Sequence, residues 1–134
     1  MLERFGLLSL IVAATLVGSG CVDQDPFRLS ERAVKGDYRL LQWEDGITYY
    51  LVDQDHPDGG GVVEGTVVRI GWNSDTILVE RRALSAIDKN GLMVVDVHKK
   101  TIQGPLPLEF AVSRPDLAGL ELVPAAEAWG RLGR

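Results

Sequence analysis

Cysteine is almost absent from this chain. It occurs once, at position 21, so no intramolecular disulfide can form and no cysteine metal site can be assembled. Stability must therefore come from an apolar core. Basic residues are also in deficit, 14 Lys and Arg against 19 Asp and Glu, for a formal net charge of −5. A nucleic-acid surface needs Lys and Arg to displace counterions from phosphates, and this balance argues against nucleic acid as a partner. Long apolar runs are missing too: the stretch from Phe5 to Val17 is about 13 residues, short of the roughly 20 that a bilayer-spanning helix needs. Catalytic signatures are equally scarce. No nucleophile motif surrounds Ser74, Ser85 or Ser113, and the histidines, His56 and His98, have no third ligand at a metal-binding spacing. We expect no catalytic residue, no metal and no cofactor.

What is present begins at the N-terminus. The Phe5 to Val17 run has the length of a secretory signal core, and Gly18, Ser19 and Gly20 suit the narrow pocket of a signal peptidase. Cys21 follows directly. This order resembles the lipobox of bacterial lipoproteins, with Gly18 at the position three before the cysteine and Val17 one place further back. The resemblance implies that residues 1–20 are removed and that Cys21 becomes the first residue, with a thioether-linked diacylglyceryl group and an acylated amino group. Its partner would then be the membrane. Because Val22 rather than aspartate follows, the resemblance further implies the outer membrane of a Gram-negative cell envelope, facing the periplasm. A plain cleaved signal and an uncleaved membrane helix are the other readings of the same run.

Removing residues 1–20 leaves about 114 residues, enough for one domain. Residues 21–36 read as lipid attachment and tether, polar and without a sustained period, with a short helical turn over Leu29 to Val34 as the alternative. Residues 37–134 read as a single globular β-rich domain. From Asp37 onward, short stretches rich in Val, Ile, Tyr and Trp alternate with Gly, Asn and Asp, the pattern of consecutive strands. The first two run from Tyr38 to Trp43 and from Ile47 to Val52. A hairpin from Val62 to Arg82 turns through Asn73, Ser74 and Asp75, with Val62, Thr66, Val68, Ile70 and Trp72 on one face and Val63 and Val67 on the other. Gly65 and Gly71 lie inside this pattern and mark bulges or close approaches. A fifth strand runs from Leu92 to His98, and a short extension from Thr101 stops at Gly104 and Pro105. Two short helices follow, one after Pro107 with Glu109 in its first turn and Phe110 inward, one after Pro124 with Ala125, Trp129 and Leu132 on one face. The fold class is α+β, mainly β: a small antiparallel sheet of five or six strands with one or two short C-terminal helices.

A wider resemblance rests on Ile70, Gly71, Trp72 and Asn73, then Ile77 to Val79, Val94 to Asp96, and Gly104, Pro105, Leu106 and Phe110. Over about Tyr38 to Arg114 the chain looks like small bacterial lipoproteins of unknown function, which share a Gly-Trp-Asn or Gly-Trp-Asp turn and a Gly-Pro-Leu segment opening a helix. No activity is implied by it.

The candidate binding residues are Trp72, Asn73, Asp96 and His98, with Cys21 as the lipidation site. Trp72 is expected to close the end of the core, and Asn73 to hold the turn after it. Asp96 and His98 fall on one face of the fifth strand and, with His56, would be the raw material of a metal site or an acid/base pair. The loop from Asp53 to Gly61 holds Asp53, Asp55 and Asp58, with Glu64 beyond it, but Pro57 and Asp58 break the calcium-loop pattern and it reads as a solvated hairpin loop. Three functions stay open: a lipid-anchored envelope protein binding another envelope component, a small metal-dependent or hydrolytic envelope enzyme, and a protective or inhibitory factor acting by occlusion through that loop.

Overall fold

The computed structural model describes residues 30–55, 62, 63, 65–87 and 89–133. The signal run, Cys21, the tether up to Leu29, His56, Asp58 and Glu64 lie outside the described residues, as does most of the 53–61 loop. The described elements are β1 (Ser30–Lys35), β2 (Tyr38–Gln42), β3 (Tyr49–Asp53), β4 (Thr66–Trp72), β5 (Thr76–Arg82), β6 (Gly91–Asp96), β7 (Thr101–Leu106), α1 (Leu108–Ser113), β8 (Val123–Pro124) and α2 (Ala125–Arg131). The class is mainly β and antiparallel with two short helices near the C-terminus, as the strand and turn pattern indicates. The strands, however, divide into two sheets, ordered β1-β2-β3 and β7-β6-β5-β4-β8.

β1 is the clearest departure from the sequence reading, which left Ser30 to Lys35 in a tether or a helical turn. It pairs along β2 from Ser30 opposite Gln42 to Lys35 opposite Tyr38, and its Val34 is buried. Glu31, Arg32 and Lys35 give it the charged look of a linker, which is also the composition of a protected edge strand. Arg32 earns its place across the molecule: its guanidinium stacks on Trp129 4.2 Å from the ring centroid and donates to the carbonyls of Trp129 and Leu132. That puts a cation on the last turn of α2, where helix carbonyls lack partners.

β7 also differs, since it runs through Gly104 and Pro105 instead of stopping there. It is the outer strand of its sheet, where a residue without an N–H is tolerated, and its register against β6 shifts between Leu92 and Val94. In β4 the register against β5 shifts between Val67 and Arg69, so Val68 is the extra residue. Val67 and Ile70 consequently share the buried face, which the simple alternation had separated.

The five-stranded sheet is covered on both sides. One face meets the three-stranded sheet and α2 in a core that includes Leu40, Tyr49, Leu51, Ile70, Ile77, Val79, Val95, Ala125 and Ala128. The other packs Leu78, Leu92 and Val94 under Leu117, flanked by Leu106, Ala111, Leu120 and Leu122. Double coverage explains the unbroken apolar runs of β5 and β6. α2 thus covers the sheet with its Ala125, Ala128 and Leu132 face, and Trp129 half-buried packs near Tyr49 at 5.9 Å between centroids. Gly71 is required here because a Cβ would meet the Glu121 carbonyl oxygen at 2.4 Å.

The ends of the two sheets coincide. At the turn end, Lys100 from the β6–β7 turn reaches Asp37, Asp53 and Asp55 of the three-stranded sheet. At the opposite, loop end, Ile47 from the β2–β3 turn lines one cavity with Thr66 and Arg82, and the β5–β6 connection begins beside them.

Candidate functional site

All four candidate binding residues of the folded part lie at the turn end. Trp72 and Asn73 close β4, Asp96 closes β6, and His98 stands in the turn after it, so it is not a strand residue on the face of Asp96. The local chemistry of each turn is legible. Asn73 Oδ1 accepts the N–H groups of Asp75 and Thr76, each at 2.9 Å, which is how an Asn side chain imitates a backbone turn. Asp96 Oδ1 accepts the N–H groups of His98 at 3.0 Å and Lys99 at 2.8 Å in the same manner. The two turns are joined by the Val97 N–H donating to the Asp75 carbonyl at 2.9 Å.

His98 is paired across that junction, its Nε2 lying 2.8 Å from Asp75 Oδ1, with both side chains 68% exposed. His98 first and the Ser74 hydroxyl second hold the Asp75 carboxyl below the ordinary carboxylate range. Asp75 is therefore the shared acceptor, with serine and histidine on either side of it. In a nucleophilic triad the histidine stands between the serine and the acid, so this order does not activate Ser74.

Beside the pair is a group that sequence order did not reveal. Asp37, Asp53 and Asp55 bring one carboxylate oxygen each to within 4.8 Å of one another. The Lys100 ammonium sits among them, in ion pairs with Asp55, with Asp37 at 3.0 Å and with Asp53 at 3.9 Å. Asp55 first, then Asp37, hold Lys100 protonated well beyond the ordinary lysine range. The lysine sits where a cation would, so Asp53 and Asp55, the acids of the 53–61 loop that fall within the described residues, are ion-paired from within the chain. Tyr38 lies nearby, its phenol pushed up by burial and then by Asp53.

Trp72 is half-buried rather than sealed in. It packs against the main core on one side and lines an open cleft of about 410 Å³ on the other, with Asn73, Asp116, Glu121 and Arg131 among the walls. β8 pairs with β4 only at Arg69 and Ile70, which leaves the Gly71–Trp72 end of that edge bordered by residues 119–121 instead of a strand. The charged rim is partly satisfied: Arg131 bonds Glu127 at 2.5 Å and approaches Glu121 at 3.8 Å, and Arg114 holds the Asp116 carboxyl below its usual range. The sequence drew attention to Trp72 and Asn73 but not to the opposite wall, whose residues Asp116, Glu121 and Arg131 come from 43 to 59 positions further along.

Compared with protein-family models, with curated proteins and with solved structures, this chain matches none.

Proposed function

We propose that this chain is a lipid-anchored cell-envelope protein, held at the outer membrane through Cys21 and facing the periplasm, that serves as a binding or accessory module for another envelope component. The carrying observation is the order of parts: a signal-length apolar run, three small residues, a single cysteine, and a folded domain that starts by Ser30. Among the described residues no helix is long and apolar enough to cross a membrane. Two or more acyl chains, at about 0.8 kcal/mol per buried methylene, make a stable anchor where one is marginal.

Binding is favoured over hydrolysis by the engagement of the polar groups. Asn73 and Asp96 hold their own turns, Asp75 is shared, and the Asp75–His98 pair lies open to water, which weakens electrostatic catalysis. The cleft beside Trp72, by contrast, is a preformed concavity with an aromatic wall and charged rim, the usual makeup of a small recognition site.

The test is fractionation and crosslinking in intact bacterial cells. Cys21→Ser should release the protein from membranes or leave it unprocessed, and unchanged membrane association and mobility would refute the anchor. Trp72→Ala should weaken the crosslink to the partner; a partner captured equally well by a folded Trp72→Ala protein would place binding elsewhere.

A further inference from the structure

We infer that the loop end of the domain is a second membrane contact, docking on the lipid surface into which Cys21 is anchored. This rests on the anchoring proposed above and adds an orientation to it. Four large apolar side chains stand exposed on the loops of this end: Ile87 at 92%, Ile47 at 81%, Leu84 at 72% and Trp43 at 46%. They come from separate segments, the β2–β3 turn and the β5–β6 connection; Trp43 also meets Tyr50 edge-on, 6.1 Å between ring centroids. Among the described residues the other exposed large apolar side chains, Ile102, Leu108 and Val112, are carried by β7 and α1.

The occupant is indicated by where the chain enters. Ser30 pairs with Gln42, the residue before Trp43, so β1 begins at this same end. Nine peptide steps separate Cys21 from Ser30, a reach of at most about 30 Å when fully extended. A lipid on Cys21 therefore leads into the domain at the loop end and keeps that end within about 30 Å of the bilayer. The chemistry of the tips fits a lipid interface: Trp43 is the residue type that settles at headgroup depth, and exposed Arg82, ending β5, and exposed Lys89, on the connection after it, suit anionic headgroups. The β2–β3 turn also carries two exposed acids, Glu44 and Asp45, of which Asp45 is engaged in the turn itself, accepting the N–H groups of Ile47 and Thr48 and the Thr48 hydroxyl. The turn end, with Trp72, Asn73 and His98, would then face the aqueous compartment.

With Cys21 acylated, an introduced cysteine is the sole thiol. Full-length lipidated Leu84→Cys and Ser74→Cys proteins, labelled with bimane and reconstituted into phosphatidylethanolamine and phosphatidylglycerol vesicles, report the two ends separately. Lipids brominated on the acyl chains should quench most of the emission at position 84 and little at position 74, and Ile47→Ser with Ile87→Ser should relieve the quenching at 84. Protein that floats with the vesicles while position 84 stays as bright as position 74 would overturn the docking and leave the anchor standing. A position-84 label shielded from aqueous iodide yet untouched by bromolipid would put a protein surface there, and would overturn the lipid as occupant. Protein recovered from expressing cells with no lipid on Cys21 would remove the anchor and the docking together.

Discussion

The two ends of the domain are built from the same kinds of turn and hold opposite things. At the turn end Asn73 and Asp96 close their own turns, and other groups reach across the chain: Asp75 to His98, Lys100 to three aspartates, and the Val97 N–H to the Asp75 carbonyl. At the loop end the turns are closed locally, as Asp45 does for residues 47 and 48, and the apolar tips of Ile47, Leu84 and Ile87 touch little of the protein. At the first end Lys100 joins the two sheets, and the Asp75–His98 pair joins two turns of one of them. The second could be altered without loss of the fold, and residues that fold stability does not require are the ones available for an outside surface.

That contrast can be broken or sharpened by substitution. The greatest loss should come from the core that both ends share. Leu51→Ala, at a fully buried position between the sheets, should cost about 2–5 kcal/mol. Because one core serves both ends, the assigned NMR signals of the Trp43 indole and the His98 imidazole should lose their native values at the same denaturant concentration. Separate midpoints would mean that the ends unfold independently. Lys100→Met comes next, leaving Asp37, Asp53 and Asp55 to face one another. The melting temperature should fall by several degrees in low salt and recover most of the difference near 1 M salt, where the Debye length shrinks to about 3 Å. A salt-independent loss would indicate packing in place of charge.

At the other end, Leu84→Ser and Ile87→Ser should leave the stability of the soluble head within about 0.5 kcal/mol of the parent, as exposed positions do. A larger drop would mean these side chains serve the fold. The smallest effect concerns pH. The Thr48 hydroxyl first, then the Ile47 N–H, hold the Asp45 carboxyl below its ordinary value. A folded-state pKa below the unfolded one gives stabilisation that is complete above about pH 4 and lost as pH falls through the lowered value. Carboxyl NMR should find Asp45 titrating below an unperturbed aspartate, and Thr48→Val should move it back.

What could be read in the sequence followed locality. The β4–β5 hairpin, the Asn73 turn, the α2 face and the tight place at Gly71 all announce themselves within a few residues, through alternation, an Asn before a reversal, or a glycine inside a strand. Val68 did not, because a bulge changes which residues share a face without changing their types. β1 was hidden by its charges, whose partner at Arg32 is an α2 terminus about 100 residues away. The Lys100 cluster joins four residues from three segments, and the split into two sheets depends on β4 pairing with β8 rather than extending the first sheet. Both are long-range choices that periodicity does not encode.

Orientation of the two ends depends first on the attachment at Cys21. Because the chain has a single cysteine, the intact mass of the protein extracted from membranes of expressing cells reads that attachment without ambiguity. The expected product begins at Cys21 and carries the mass of a diacylglyceryl group and an amide-linked acyl chain. A product that begins elsewhere, or that keeps Cys21 as a free thiol, would contradict it.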